Sequence, residues 1–251
     1  MSGDVRIGTS GWHYKHWKGP FYPEALPASK ILDFYTRHFD TVEINNSFYK
    51  LPTQEALVSW RDGTPPHFLF AVKGSRFLTH MKKLQDPAEG VARFMERIEV
   101  LGRKLGPILF QLPPFWAVNT ERLDGFLQAL PAGHRYAFEF RNATWHHPDV
   151  YNILLRHNAA FCAWELSGVR SPVEVTADWA YVRLHGPEGP YQGSYHHEVL
   201  VAWADQIRTW RRRLRAVYVY FDNDQSAFAA QNAGALADMT GARVYTYTAE
   251  H

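Results

Sequence analysis

The sequence predicts an α/β fold, a single (β/α)8 barrel of the TIM type that occupies residues 1–251 as one domain. Three observations predict this fold. Eight short runs rich in β-branched and aromatic residues recur along the chain, most of them are separated by stretches with helical periodicity, and eight parallel strands close this kind of barrel. An open doubly wound sheet is the second choice, although no glycine-rich phosphate-binding turn follows the first run.

Predicted helices fill most of the intervals between the predicted strands. Ser29 can cap the stretch "SKILDFYTRHF", and "DPAEGVARFMERIEVLGRKLG" has the Asp-Pro start and glycine end typical of a helix. Helical segments also cover "NTERLDGFLQALP", "HHEVLVAWADQIRTWRRRLR" and "DQSAFAAQNAGALADMTG". Only the connection from "CAWE" to "WAYVRLHG" lacks a clear helix. The predicted strands are "VRIGTS", "TVEINNSF", "FLFAVKG", "GPILFQLP", "RYAFEFR", "AAFCAWE", "WAYVRLHG" and "AVYVYFDN".

Composition and charge narrow the classes of protein. The chain is 46% hydrophobic and 21% charged, which is typical of a globular protein with a substantial core. A net charge of +2 is too small for a protein that coats nucleic acid or lies on a membrane surface. The single cysteine, Cys162, excludes a disulfide within the chain and a cysteine-based zinc site. With neither a signal-peptide pattern nor an apolar run of about 20 residues, we expect a cytoplasmic protein.

Period-two alternation predicts which side chains face the barrel interior. In "RYAFEFR", Tyr136 and Phe138 point toward the surrounding helices, so Glu139 and Arg141 point inward. We expect Cys162 to point outward. Unpaired charges inside a barrel would cost several kcal/mol each, so the interior set must form ion pairs or meet water. The same alternation in every strand predicts four positive and four negative interior groups, which are Arg6, Lys73, Arg141, Arg183, Glu43, Glu139, Glu165 and Asp222.

The carboxyl ends of the strands carry the chemistry in this fold, so the last polar residue of each strand is a candidate for the barrel mouth. Glu43, Glu139 and Arg183 lie two residues deeper, roughly 6–7 Å by the rise of a strand. The alternative for these deeper groups, as for Arg6 and Glu165, is a structural ion-pair network that replaces an apolar core. The mouth candidates are Asn45, Lys73, Gln111, Arg141, His185 and Asp222.

Three loops after strands add ligand-binding candidates. Trp12 and Tyr14 lie in the aromatic loop "GWHYKHWKGPFYPEALP", where they would stack on a sugar or base or fold back as a lid. The loop "GSRFLTHMKKLQDP" adds Arg76 and His80 beside Lys73, and a basic loop suits an anionic substrate. The glycines of "HGPEGPYQGSYHH", the loop that carries Tyr191, would allow the backbone to close over a ligand.

Seven ordered motifs resemble the YecE-like family, also described as domain of unknown function seventy-two. They are "IGTSGWHYKHWKGPFYP", "TVEINNSFYKLP", "FLFAVKGSRFLTH", "GPILFQLPP", "YAFEFRNATWHH", "YVRLHGP" with "YQGSY", and "VYVYFDNDQSAFAAQNA". The resemblance implies a (β/α)8-type barrel and supplies no reaction. Family members often carry Asn-Asn-Asp where this chain has Asp222, Asn223 and Asp224, and often an Asp near the position of Glu165.

The first functional hypothesis is an enzyme that acts by acid–base chemistry on a small anionic substrate, which would be phosphorylated, a sugar phosphate or nucleotide-like. Glu139 and His185 would form the acid–base pair, and Glu43 and Asp222 would orient them. A hydrolase of a phosphorylated or sugar-like substrate fits this set. The residues assigned to the substrate are Lys73, Arg76, Arg141, Asn45, Gln111, Trp12, Tyr14, His80, Tyr191 and Arg183.

Two alternatives use the same mouth. A metal-assisted phosphoesterase resembling an endonuclease would take Glu139, Asp222, Glu43, His185 and Asn45 as ligands. The sequence contains no His-x-His or His-Glu-x-x-His pair, so it supports a metal site only weakly, and no residue is assigned as a metal ligand. The sequence does not identify a cofactor, and a divalent metal is one option. The second alternative is a module that binds nucleic acid or nucleotides without catalysis, although the small net charge disfavours tight nonspecific binding. The sequence leaves the oligomeric state open and predicts no membrane association.

Overall fold

The computed structural model describes residues 2–242, and in this range eight parallel strands form a nearly closed barrel, as predicted. The strands are β1 Asp4–Thr9, β2 Thr41–Ile44, β3 Leu69–Lys73, β4 Leu105–Gln111, β5 Tyr136–Glu139, β6 Ala160–Leu166, β7 Val169–Arg170, β8 Trp179–Leu184 and β9 Ala216–Phe221. The order around the barrel is β1-β9-β8-β6-β5-β4-β3-β2. The short strand β7 lies outside this order and pairs with β6 in an antiparallel hairpin.

The barrel closes where β1 meets β2. Ser10 forms a parallel bridge with Glu43, and the amide of Gly11 donates a hydrogen bond of 2.8 Å to the Glu43 carbonyl oxygen. A Cβ atom at Gly8 would lie 2.3 Å from the Thr41 carbonyl oxygen, so this position requires glycine. The close approach brings the end of β2, and with it Glu43, against the other strands at the mouth.

Helices follow most of the strands. The helices are α1 Ile31–Tyr35, α2 Gln54–Asp62, α3 Pro87–Ile98, α4 Thr120–Ala129, α5 Pro148–Arg156, α6 His197–Arg211 and α7 Phe228–Thr240. Two of them, α2 and α5, lie in intervals for which no helical segment was specified from the sequence. Ser29 does not act as a cap, because it lies inside a 3-10 turn, Ala28–Lys30, that precedes α1. The connection between β6 and β8 contains β7 and no helix in the described residues, as expected. None of the helices between residues 2 and 242 combines the length and apolar character needed to cross a membrane.

The barrel interior has two layers. The layer near the amino ends of the strands is apolar and aromatic, and it includes Leu109, Trp179, Tyr218 and Tyr220. The layer near the carboxyl ends is charged, and its three carboxylates pair with Arg183. We call the apolar layer the floor of the barrel. It separates the charged groups from solvent at the amino ends of the strands, so water reaches the ion pairs from the mouth.

The predicted phase of β6 is wrong. Cys162 faces the interior and belongs to the apolar floor, whereas Glu165 points outward, where it accepts a hydrogen bond of 3.3 Å from the Trp203 indole of α6. The run "AAFCAWEL" is almost entirely apolar, so its alternation does not reveal which face is buried in the barrel. The register against β8 fixes the phase, because Trp164 stands beside Arg183.

Arg6 does not belong to the charged layer at the mouth. It lies near the amino ends of the strands and forms ion pairs with Asp4 at 2.8 Å and Asp40 at 3.0 Å. With Arg6 and Glu165 removed from the predicted set, three cations and three anions remain at the mouth. They are Lys73, Arg141, Arg183, Glu43, Glu139 and Asp222.

Candidate functional site

Arg183 is the centre of the charged layer. It lies one residue before the end of β8, is fully buried, and donates to Glu43 at 2.7 Å, Glu139 at 2.9 Å and Asp222 at 3.1 Å. Burial opposes a charge on Arg183, yet the three carboxylates raise its pKa well above the ordinary value. A guanidinium suits this position because its planar fork of five N–H groups can serve several carboxylates at once.

Both buried glutamates have their carboxylate oxygens occupied by protein donors. Glu43 accepts from Ser10 Oγ at 2.6 Å on one oxygen and from Tyr181 Oη at 2.6 Å on the other. Glu139 accepts from Arg141 on one oxygen and from Arg183 on the other. Burial would raise the pKa of Glu139, but the positive charges of Arg141 and Arg183 hold it well below the ordinary value.

His185 links the carboxylate of Asp222 to the guanidinium of Arg141. Its Nδ1 lies 2.9 Å from Asp222 Oδ2, and its Nε2 lies 2.6 Å from Arg141 Nη2. Arginine can only donate, so Nε2 is the acceptor and Nδ1 carries the proton that is donated to Asp222. His185 is therefore neutral in this arrangement, with its basic nitrogen directed at a cation near the mouth.

Asp222 stays ionised although it is buried. Burial opposes its charge, but Arg183 and the hydrogen bond from His185 lower its pKa below the ordinary value. Asn45 adds a donor to the other oxygen of Asp222, at 3.3 Å. An ionised carboxylate on Nδ1 fixes the tautomer and the orientation of an imidazole, which is the arrangement found in catalytic Asp–His pairs.

Trp164 is a site residue that the sequence interpretation missed. Its indole lies under the guanidinium of Arg141, with the Arg141 Cζ atom 4.6 Å from the ring centroid, and its Nε1 donates to the Phe140 carbonyl oxygen at 2.8 Å. A cation over the face of a tryptophan is stabilised by the ring quadrupole. Only the correct phase of β6 could have revealed this residue, since that phase brings Trp164 into the barrel beside Arg183.

Lys73 is the cation at the mouth that lacks a carboxylate partner. Its Nζ lies 4.6 Å from the centroid of the Phe48 ring, and no ion pair joins it to an acidic residue in the described part of the chain. The residue is 9% exposed, so its charge is poorly hydrated. Burial, followed by the charge of Arg183, lowers the pKa of Lys73 to about 8.

The loop after β3 contributes two basic side chains outside the charged layer. Arg76 is exposed and precedes a π-helical turn, Phe77–Met81. Within that turn, His80 packs edge-on against Phe48 and its Nδ1 lies 2.9 Å from Thr79 Oγ1. Burial, together with the charges of Lys73 and Arg76, lowers the pKa of His80 to about 4, so His80 is neutral at physiological pH.

Tyr191 and Gln111 lie next to the central cluster. The Tyr191 ring stands 6.3 Å from that of His185, and the Tyr191 amide donates to the His185 carbonyl oxygen at 2.7 Å. Tyr191 has a positive φ of 65° and half of its surface is exposed, so its loop holds it over His185 from above. Gln111 ends β4 in register with Glu139 and is partly buried.

The aromatic loop after β1 forms a wall and is not a free flap. Trp12 packs edge-on against Trp60 with 4.9 Å between ring centroids, and Tyr14 donates to the Ser10 carbonyl oxygen at 2.6 Å. Together with the exposed Tyr49, these rings line a pocket of about 430 Å³ that also includes Asn45. Because Asn45 contacts both Asp222 and Arg183, the pocket adjoins the charged layer.

The carboxylates of the mouth do not form a metal centre. Within residues 2–242, no group of three or more His, Cys, Asp and Glu side chains is placed to hold a metal ion. The cause is Arg183, whose guanidinium lies between Glu43, Glu139 and Asp222 and takes the oxygens that a cation would need. This donor set does not fit the metal-assisted alternative.

A parallel barrel with a paired ionic layer below its mouth places the chain among the TIM-type barrel proteins. The chain belongs to the family described as "Protein of unknown function DUF72", whose model matches residues 6–250, so the resemblance found in the sequence motifs is confirmed. UPF0759 protein YunF of Bacillus subtilis is 25% identical over 265 residues, which cover 91% of this chain and 92% of that protein. UPF0759 protein YecE of Escherichia coli is 33% identical over 148 residues, 59% of this chain and 50% of that protein.

Solved structures of the family share the fold. The crystal structure of a DUF72 family protein from Thermotoga maritima matches with a TM-score of 0.87 at 30% identity, covering 95% of this chain and 99% of that chain. A DUF72 family protein from Enterococcus faecalis matches with a TM-score of 0.77 at 18% identity, covering 95% of this chain and 98% of that chain. The second likeness concerns the fold alone.

Proposed function

We propose that this protein is an enzyme that binds a small anionic substrate at the barrel mouth and acts on it by acid–base chemistry. The observation that carries the proposal is the position of His185. This neutral imidazole donates a hydrogen bond from Nδ1 to the ionised Asp222 and accepts one from Arg141 at its basic nitrogen, Nε2. An anion that draws the guanidinium of Arg141 away would leave His185 Nε2 with the longer contact of 3.4 Å to Arg183 Nη1, and the nitrogen could then accept a proton from the substrate.

Arg141 and Lys73 supply the positive charge for the anion in this proposal. Arg141 is 11% exposed in its side chain and rests on Trp164, so it can turn toward a ligand without losing its aromatic support. Lys73 adds charge from the side of β3, where no carboxylate neutralises it in the described residues. Arg183 stays with its three carboxylates and takes no part in binding, which revises its place among the substrate-binding candidates.

Glu139 and Glu43 act as positioning residues in this proposal and not as proton donors or acceptors. Each is fully buried and uses both carboxylate oxygens on protein donors. The low pKa of Glu139 also makes it a poor base, because a carboxylate held ionised by two guanidinium groups binds a proton weakly. The pair Glu139 and His185 predicted from the sequence thus becomes a pair of His185 and Asp222, with Glu139 orienting Arg141.

The substrate body has a place in the aromatic pocket beside Asn45. Its volume of about 430 Å³ suits a small ring system, and its walls of Trp12, Tyr49 and Trp60 offer faces for stacking. A nucleotide-like or sugar-phosphate anion would place its charged group at Arg141 and its ring in this pocket. The same surface would serve a module that binds nucleotides without catalysis, so turnover has to be tested.

The test follows a panel of nucleoside monophosphates and sugar phosphates by ³¹P and ¹H NMR in D2O. Any conversion, or any exchange of a carbon-bound proton with solvent, reports acid–base catalysis whatever the product is. We expect the wild-type protein to convert or exchange at least one compound, and His185→Asn to lose that reaction by at least about a hundredfold, as removal of a general base does.

The matched control is His134→Asn. His134 precedes β5 at the amino ends of the strands, opposite the mouth, and its Nε2 lies 3.3 Å from Glu99 Oε1, so its replacement should leave the rate within about twofold. A panel that binds and is neither converted nor exchanged would overturn catalysis on these classes of substrate and favour the binding module. Equal rates in wild type and His185→Asn would overturn the assigned base.

A further inference from the structure

Lys73 combines three properties that the other cations of the mouth do not share. It ends β3 at the catalytic end of the barrel, it has no carboxylate partner in residues 2–242, and its amine faces the ring of Phe48 at 4.6 Å. Arg141 and Arg183, in contrast, are each bound to carboxylates. An amine held by an aromatic ring and by no anion can lose its proton without breaking an ion pair.

We propose that Lys73 is a nucleophile that forms an imine with an anionic aldehyde or ketone bound at the mouth. This inference rests on the proposed anion site and names the class of its substrate, a carbonyl compound that carries a carboxylate or phosphate. The neutral amine adds to the carbonyl carbon to give a carbinolamine, and loss of water then gives the imine. The step needs no oxidant or reductant, because one carbonyl and one amine yield one imine and one water.

The surroundings of Lys73 provide both the charge and the proton transfers that the step needs. Arg141 would hold the anionic group of the ligand, as proposed above, and the negative charges of Glu139 and Asp222 favour a positive charge at Lys73, which would include a developing iminium. His185, once freed from Arg141, can take a proton from the ammonium intermediate and return it to the departing hydroxyl.

The acidity of Lys73 supports the same assignment. With a pKa of about 8, about one molecule in ten carries the neutral amine at pH 7. An ordinary lysine is neutral in about one molecule in three thousand at that pH. The exposed Lys82 and Lys83, which follow in the same loop and show no such burial, serve as internal controls in one protein.

The experiment is reductive trapping with glyoxylate, the simplest anionic aldehyde, and cyanoborohydride at pH 7. Hydride from the reductant converts an imine into a stable carboxymethyl amine, which peptide mapping by mass spectrometry assigns to a residue. We expect Lys73 to be labelled at least tenfold faster than Lys82 and Lys83. Labelling of Lys73 at the rate of the exposed lysines, or no labelling, would overturn the inference.

Two variants test separately whether the fast labelling needs the amine of Lys73 and whether it needs proton transfer by His185. Lys73→Arg keeps the positive charge, so it should remain folded by thermal unfolding and lose only the fast-labelled site. His185→Asn should keep Lys73 in place and slow its labelling several-fold; an unchanged rate would overturn the proton relay through His185. Phosphate binding measured on the wild-type protein keeps the two proposals apart, because a wild-type mouth that binds phosphate without trapping glyoxylate at Lys73 contradicts the imine alone.

Discussion

Replacing Arg183 by methionine is the sharpest perturbation of the ionic layer. Methionine has a similar length and no charge, so the change leaves Glu43, Glu139 and Asp222 inside the barrel without their shared cation. The two glutamates have no exposed side-chain surface, so water cannot take over the role of the guanidinium. We expect a large loss of stability for this one substitution.

The magnitude follows from the number of partners and from burial. Removing one member of a buried ion pair costs about 3–5 kcal/mol, because the remaining charge is left without compensation. Arg183 serves three carboxylates, so we expect a value at the upper end of that range. For a chain of this length, 1 kcal/mol shifts the melting temperature by about 2–4 °C, so the melting temperature should fall by at least about 10 °C.

The loss should also depend on pH with a defined sign. In the wild type, the lowered pKa values of Glu139 and Asp222 give stability that is present at neutral pH and is lost as pH falls through those values. Without Arg183 these carboxylates would take up protons more readily, so the variant gains relative stability as pH falls. The difference between the two proteins should therefore be largest near pH 7 and should shrink toward pH 4.

Urea unfolding followed by circular dichroism at pH 7 and pH 4.5 measures this difference. The control is Arg215→Met, which removes a surface arginine whose ion pair with Asp178 spans 3.0 Å, with 79% of the arginine side chain exposed. Surface pairs contribute about 0–1 kcal/mol, so this variant should stay close to wild type. A loss below 1 kcal/mol for Arg183→Met, or one that does not change with pH, would refute the view that Arg183 holds the layer together.

Three further predictions concern single side chains. Trp164→Leu should weaken phosphate binding about fivefold in calorimetry, since the ring stabilises Arg141 by about 1 kcal/mol; unchanged affinity would contradict this. Cys162 should resist a thiol reagent at pH 8 until the protein unfolds, because it is buried and burial raises its pKa. Fast labelling of the folded protein would contradict its position in the barrel interior. Burial raises the pKa of Asp40 to about 7 despite the nearby charge of Arg6, so the folded state favours the protonated carboxyl and loses free energy of unfolding as pH rises toward 7. In urea unfolding, Asp40→Asn should not show this decline with pH, and an equal decline in the variant would contradict the assignment to Asp40.

The sequence predicts the barrel because its strands show a repeated pattern. In β1, β5, β8 and β9, apolar and polar residues alternate, and this alternation correctly directs Glu139, Arg141, Arg183 and His185 inward. Parallel strands that bury both faces do not always keep such a pattern. In β6 every residue but one is apolar, so the strand carries no signal for its phase, and the predicted orientations of both Cys162 and Glu165 are wrong.

The partners within the site depend on distances that no pattern in the chain encodes. An equal number of positive and negative interior groups indicates a paired network, but it does not indicate that Arg183 would take three carboxylates or that Lys73 would take none. Those outcomes depend on the distances between strands in the folded barrel, such as the close approach of Gly8 to Thr41. The ionic partners of Arg6 were likewise missed, because Asp40 lies outside the predicted strands.

Binding of inorganic phosphate by isothermal titration calorimetry tests the central claim, that the mouth binds anions through Arg141. We expect one site per chain in the wild type. Loss of a charge-assisted hydrogen bond of about 1.5–3 kcal/mol should weaken binding by at least about tenfold in Arg141→Gln, while Arg93→Gln, a change at an arginine that is 77% exposed, should bind like wild type. No phosphate binding, or equal binding by Arg141→Gln, would contradict the account.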